Sequence, residues 1–250
     1  MPGTSCARWF AAALLLLASA CDSQDGGDPA GGYQIRGHAA GNARTYIGEL
    51  RIAPFGPGYD LIWRLDQGDM YRGTALLADH VLGAVYWIGP RPTPDISVAV
   101  FAVKGGTLTG TWMPAIGGVP RPGREELAGP ENLNGSYDIV VGENPDGSSY
   151  KGHVEITRTG KTYWLRWYLP ELTYVGRGVR VGDKLVVGYA SRIAPGVVAY
   201  CMMGENGKGV WSFGNANGLG TELISQNLNK DAFGESNMNA IESRCAEVGA

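Results

Sequence analysis

The amino-acid sequence predicts an all-β protein of two tandem antiparallel meander units, about eight strands each and up-and-down barrel-like, with a short C-terminal helical tail. Three observations carry this reading. The chain repeats itself: Tyr59-Asp-Leu61-Ile-Trp63-Arg-Leu65 returns 104 residues later as Tyr163-Trp-Leu165-Arg-Trp167-Tyr-Leu169. Tyr46-Ile-Gly48-Glu-Leu50 returns at the same spacing as Tyr150-Lys-Gly152-His-Val154, and Gly110-Thr-Trp112 returns 99 residues on as Gly209-Val-Trp211. Short apolar runs are separated by turn chemistry such as Asn144-Pro-Asp-Gly147, Gly182-Asp183 and Glu205-Asn-Gly207, where glycine supplies positive φ and Asn or Asp tolerates it. The composition agrees, with 39 Gly, 12 Tyr and 7 Trp but only 18% charged residues.

Taken from the N-terminus, residues 1–20 read as a signal peptide. Arg8 is the positive flank, and Trp9 to Ala20 form a 12-residue apolar run, short of the roughly 20 residues needed to span a bilayer. Residues 21–32 are a polar Gly/Asp-rich tether with nothing to bury. Repeat unit 1 covers 33–129 and unit 2 covers 133–225. The second is read as strands at about 136–143, 149–157, 161–169, 172–181, 184–190, 196–203, 208–214 and 219–225. Pro114 to Gly123 is long and Pro/Gly-rich, as domain linkers are, and favours two units side by side over a single larger barrel or sandwich shared by both copies. Residues 226–250 form the tail, with a helix expected over Asp231–Ala246.

The two copies act as a small alignment. In the third strand, Tyr59/Tyr163, Leu61/Leu165, Trp63/Trp167 and Leu65/Leu169 are the same in both copies, while the residues between them change. Side chains alternate across a strand, so the shared face points inward. The same argument turns Tyr46/Tyr150, Leu50/Val154 and Ile52/Ile156 inward. Tyr71/Tyr174, Gly73/Gly176 and Ala75/Gly178 follow, their small residues leaving room for a tryptophan. The sixth strand is apolar on both faces, with Ala99/Val198, Phe101/Tyr200 and Val103/Met202 on one and Val98/Val197, Val100/Ala199 and Ala102/Cys201 on the other. Such a strand is covered on both sides, by the other copy or by the tail.

The run Leu17-Ala-Ser-Ala20-Cys21 resembles the lipobox of bacterial lipoproteins. That resemblance implies acylation of Cys21, removal of Cys6 with the signal peptide, and a lipid-anchored protein of the cell envelope, periplasmic or surface-facing. Ala18-Ser-Ala20 also satisfies ordinary signal-peptidase cleavage, which would give a secreted protein. Cys201 and Cys245 are left as an even pair in an oxidising compartment, and a disulfide between them is expected. The body, with its Gly-x-Trp strands and tight hairpins, resembles the calycin-like barrels of avidin and lipocalin relatives. It is also similar to duplicated modules of uncharacterised envelope proteins. The barrel fold follows from that resemblance; no ligand residues do.

Sites of chemistry are few. With a net charge of −3 and no Lys/Arg cluster, nucleic acid is not an expected partner. His38, His80 and His153 do not recur between copies and read as solvated surface residues. Ser148-Ser-Tyr-Lys151 has the Ser-x-x-Lys spacing but enters a strand and lacks partner motifs. No metal or cofactor is expected, since no histidines cluster and the cysteines are too few for structural zinc. Asn144 to Gly147 reads as a hairpin, not a calcium loop. Gly204 to Gly209 lacks the spacing and helix of a phosphate loop. Glu125-Glu126 offers a carboxylate pair, but neighbours on a strand point to opposite faces. Thr221-Glu222 occupies the corresponding region of copy two, so one Glu is shared, for glycoside chemistry or for a salt bridge at a barrel end.

The aromatic surplus is the remaining lead. Trp164, Arg166 and Tyr168 share the outward face of the third strand in copy two, the composition of a recognition hot spot. The expected function is a non-enzymatic envelope lipoprotein that binds a ligand or macromolecule through a duplicated β-barrel scaffold. A structural or assembly lipoprotein is the alternative, and an unrecognised hydrolase is a third reading. The partners open at this point are the membrane through the lipid anchor, and a glycan, a small apolar ligand in a barrel, or an envelope protein.

Overall fold

The computed structural model describes residues 27–41, 44–89, 92, 95–116, 118–214, 218–227 and 245. Cys21, the signal peptide and all of the expected tail helix except Cys245 lie outside the described residues. Among the described residues every regular element is a strand, sixteen in all. The first copy supplies β1 (Gly31–His38), β2 (Thr45–Phe55), β3 (Gly58–Leu65), β4 (Met70–Ala78), β5 (Val81–Ile88), β6 (Ser97–Lys104), β7 (Thr107–Pro114) and β8 (Gly123–Ala128). The second supplies β9 (Gly135–Glu143), β10 (His153–Thr159), β11 (Thr162–Tyr168), β12 (Thr173–Val181), β13 (Lys184–Ala190), β14 (Gly196–Met203), β15 (Asn206–Ser212) and β16 (Gly220–Ser225).

The strands close into two eight-stranded antiparallel barrels, as the pattern predicts, which leaves no free sheet edge. Their membership differs from the repeats. The first barrel runs β1-β16-β15-β14-β5-β4-β3-β2, and the second runs β10-β11-β12-β13-β6-β7-β8-β9. Each copy keeps five strands at home and sends its last three to the other barrel. Units 33–129 and 133–225 are therefore repeats of sequence that do not each close on themselves. The reason lies in the pattern itself. β5 pairs β14 through Ala84↔Val198, and β13 pairs β6 through Val187↔Ala99. Val198 and Ala99 are equivalent positions, so either sixth strand satisfies either barrel. The segment 114–123 is accordingly no domain linker; it joins β7 to β8 within the second barrel. The chain crosses between barrels at the β5–β6 and β13–β14 connections instead.

Each barrel interior holds the shared faces. Tyr33, Leu50, Ile52, Leu61, Trp63 and Ala75 pack with Val198, Tyr200 and Ile224 in the first. Tyr137, Val154, Ile156, Tyr163, Leu165 and Trp167 pack with Ala99, Phe101 and Leu127 in the second. A Cβ on Gly73 would stand 2.7 Å from the Trp63 ring, and one on Gly176 2.9 Å from the Trp167 ring. The small residues make room for the indoles, as their positions predict. One end of each barrel is tied by its first tyrosine: Tyr33 donates to the Pro29 carbonyl at 2.8 Å, and the equivalent Tyr137 donates to that of Pro130.

A third core joins the barrels. Val81, Val85, Val197 and Ala199 from the first meet Val98, Val100, Val179 and Val186 from the second. This is the cover that the doubly apolar sixth strands require. Cys201 lies in the same core and bonds Cys245, tying that tail residue to the outer face of β14. At its margin Lys184 Nζ bridges Asp183 at 2.7 Å and Asp79 of the other barrel at 2.9 Å.

Candidate functional site: the two barrel mouths

Opposite the tyrosine-tied end, each barrel is half open. The first holds a cavity of about 220 Å³ walled by Tyr46, Trp63, Tyr71, Tyr86, Tyr200 and Trp211, with Phe213 at its lip. The second holds one of about 340 Å³ walled by Tyr150, Trp167, Tyr174, Tyr189 and Trp112. Position by position these are one site built twice, with Tyr46 standing for Tyr150, Trp63 for Trp167, Tyr71 for Tyr174, Tyr86 for Tyr189 and Trp211 for Trp112. The strand exchange makes both sites composite. The second takes Trp112 from copy one and its remaining aromatic wall from copy two.

A buried glutamate lines each cavity from the inner face of each copy's last strand, Glu222 on β16 and Glu125 on β8. They are 6% and 5% exposed. In the second barrel, Tyr150 donates to Glu125 Oε1 at 2.8 Å and Trp167 Nε1 donates to Oε2 at 3.1 Å. In the first, Tyr46 donates to Glu222 Oε1 at 2.7 Å and Tyr200 donates to Oε2. Trp63 Nε1 then donates to the Tyr200 hydroxyl at 2.9 Å, and Trp211 Nε1 to that of Tyr46 at 2.8 Å. One cause of the difference is that Phe101 stands where the first barrel has Tyr200. Without that hydroxyl the indole reaches the carboxyl directly.

Burial sets the electrostatics. It pushes the Glu125 carboxyl up to about 7 against the help of its Trp167 and Tyr150 donors, and it raises Glu222 as well. Tyr46 and Tyr150 are both held far above the ordinary phenol value, first by burial and then by the adjacent carboxyl. These phenols stay protonated and act as fixed donors. Rings around the cavities meet edge-on or tilted, as in Tyr71–Tyr86 at 5.8 Å and Trp167–Tyr189 at 4.9 Å, except that Phe213 stacks on Tyr86 at 6.0 Å.

The pairing of Glu125 with Glu126 dissolves as expected, since Glu125 faces the interior and Glu126 the outside. Glu125 meets neutral donors, not the cation that a salt-bridge reading needs. What sequence reasoning undervalued is the recurrence of Glu125 as Glu222, 97 residues on. A flanking Thr221 in place of a second Glu hid it. His38, His80 and His153 are all exposed, and His153 stacks on Tyr168 with ring centroids 4.7 Å apart.

Trp164, Arg166 and Tyr168 do share the outer face of β11, and two of them are engaged within the protein. Trp164 is half-buried, with the Arg177 guanidinium 4.2 Å from its ring centre. Arg177 is itself 1% exposed and donates to Ser212 Oγ at 2.9 Å and to the Gly214 carbonyl of the other barrel. Burial lowers its pKa. Tyr168 donates to Glu155 at 3.1 Å. Arg166 alone projects to solvent. No family model, curated protein or solved structure matches this chain.

Proposed function

We propose that the protein is a non-enzymatic, lipid-anchored binding protein of the bacterial envelope that takes a small ligand into each barrel mouth. The observation that carries this is the twin cavity. Two half-enclosed spaces have the same aromatic walls and the same buried carboxyl, although the copies differ at most other positions. A wall that served only to fill a barrel would leave no such volume. Exposed Phe213 and Leu172 at the lips add apolar surface where a ligand would enter.

The anchor rests on the lipobox-like Cys21. Mass spectrometry of the mature protein is expected to find Cys21 at the N-terminus with acyl mass added, and Cys21→Ser is expected to release the protein from membranes. An unmodified mature N-terminus sinks the anchor and leaves a secreted binder. Binding is checked by tryptophan fluorescence across a library of small aromatic and apolar compounds. Two saturable events per chain are expected. A library without any saturable response, together with capture of an envelope protein on the β surface, would establish the assembly role instead.

A further inference from the structure

The chemistry of the mouths narrows the ligand. A carboxyl buried without a cation is costly, and an amide of the same shape would avoid that cost by accepting the indole bond at its oxygen and donating its NH2 to the phenol oxygen. Both barrels nevertheless carry glutamate there. The second cavity has no Lys or Arg in its lining among the described residues, and its other charged group, Glu171 on the β11–β12 turn, is acidic. An anionic ligand would meet like charge on entry. The cavity walls are tryptophan and tyrosine, ring types whose faces attract cations. In the first cavity Arg44 lies among the lining residues together with Asp66 and Asp69, so acidic groups are the majority there too.

We propose that each barrel mouth binds an organic ammonium ion with an apolar body, its charged nitrogen seated on the Glu125 or Glu222 carboxylate and its N–CH groups against the surrounding aromatic rings. This rests on the small-ligand reading above. Barrel differences then set selectivity. The larger second cavity, with Phe101 in place of Tyr200, takes the bulkier amine, and its carboxyl oxygens are engaged by one phenol and one indole. The first holds its carboxyl between two phenols.

Binding also moves a proton. Glu125 is partly protonated near neutral pH, so an ammonium ion expels that proton as it forms the ion pair. The groups facing Glu125 from the packed elements are Tyr150, Trp167, Tyr189 and Trp112, none of which takes up the proton. The acids near the opening are Glu171 and, beside Tyr174, Asp95. Amine affinity therefore rises as pH is raised through about 7.

The test is calorimetry on the full chain with three ligands of one body and different heads: phenylpropylamine, phenylpropanol and phenylpropionate. The amine is expected to bind at least about tenfold tighter than the other two. In the single variants Glu125→Gln and Glu222→Gln, one of two amine-binding events is expected to disappear while alcohol binding persists. If a variant fails to fold, the wild type still decides. Amine binding at pH 6 in two buffers of different ionisation heat is expected to show net proton release, and none overturns the proposal. Equal or better binding of the alcohol or the carboxylate overturns it and leaves the small-ligand reading standing. A protein that binds none of the three overturns the ammonium proposal, and the compound library then decides the small-ligand reading.

Discussion

At the scale of single residues, Glu125 governs how stability responds to pH. Below about pH 4.5 the carboxyl is protonated in both folded and unfolded chains and has no effect on the balance. Between 4.5 and about 7 the unfolded chain ionises first, so stability falls as pH rises. Once both states are ionised, the cost to the folded state is on the order of 3 kcal/mol, from the separation of 4.5 and about 7. Denaturant midpoints measured from pH 5 to 8 are therefore expected to decline, and Glu125→Gln is expected to flatten the decline. Glu222 is raised too, so the decline is expected to be flattest in the double variant. A slope unchanged in the double variant would show that the carboxyls are not the source. Tyr200 offers a second measurement. Its hydroxyl links Trp63 to Glu222, and Tyr200→Phe is expected to cost about 1–2 kcal/mol. The loss is smaller if Trp63 swings onto the carboxyl as Trp167 does. At this scale the inward faces were legible, because two copies agreeing at alternate positions leave little freedom. The role of Glu125 was not, because burial of a carboxyl depends on strands that only the closed barrel brings over it.

At the scale of elements, the strands were legible because turn chemistry brackets each one. Gly105 and Gly106 between β6 and β7 both take positive φ, 51° and 77°, as a two-residue hairpin requires. The departure was β10, read from 149 and observed from His153. Residues 149–152 still bond β9, through a bridge between Ser149 and Glu143 and the Tyr150 N–H to the Gly142 carbonyl at 2.9 Å, but outside the regular ladder. The interface between barrels depends on one close approach. A Cβ on Gly83 of β5 would stand 2.7 Å from the methyls of Val100 and Val186 in the other barrel. Gly83→Val must push the sheets apart, and overpacking of this kind costs about 1–3 kcal/mol. Thermal unfolding is expected to shift down with both mouths still able to bind. Loss of binding with unchanged stability would contradict the assignment. The disulfide acts on the same core: Cys245→Ser frees a cross-link spanning 44 residues, and a loss of about 2–4 kcal/mol is expected in denaturant titration.

At the scale of the whole molecule, the exchange of three strands is what the sequence was least able to declare. β14 fits the edge of β5 because it carries the same inward and outward faces as β6, and nothing in a hydrophobic pattern separates the two partners. The choice falls to the connections and to the valine core between barrels, both of which act only once the strands are in place. Cysteine pairs distinguish the outcomes directly. Ala84 on β5 faces Val198 on β14 in register, close enough for a disulfide when both are cysteine. Had each copy closed on itself, Ala84 would face Ala99, the equivalent of Val198. Oxidised Ala84→Cys/Val198→Cys protein is thus expected to cross-link in the folded state, while Ala84→Cys/Ala99→Cys is expected to keep two free thiols, both read by peptide mass mapping. The reverse result would restore two self-contained units. It would also separate the sites, since only the exchange places Glu125 and Trp112 of one copy among the tyrosines and Trp167 of the other. Because every mouth draws on both halves of the chain, either copy holds residues of both sites, while each single substitution falls in one barrel.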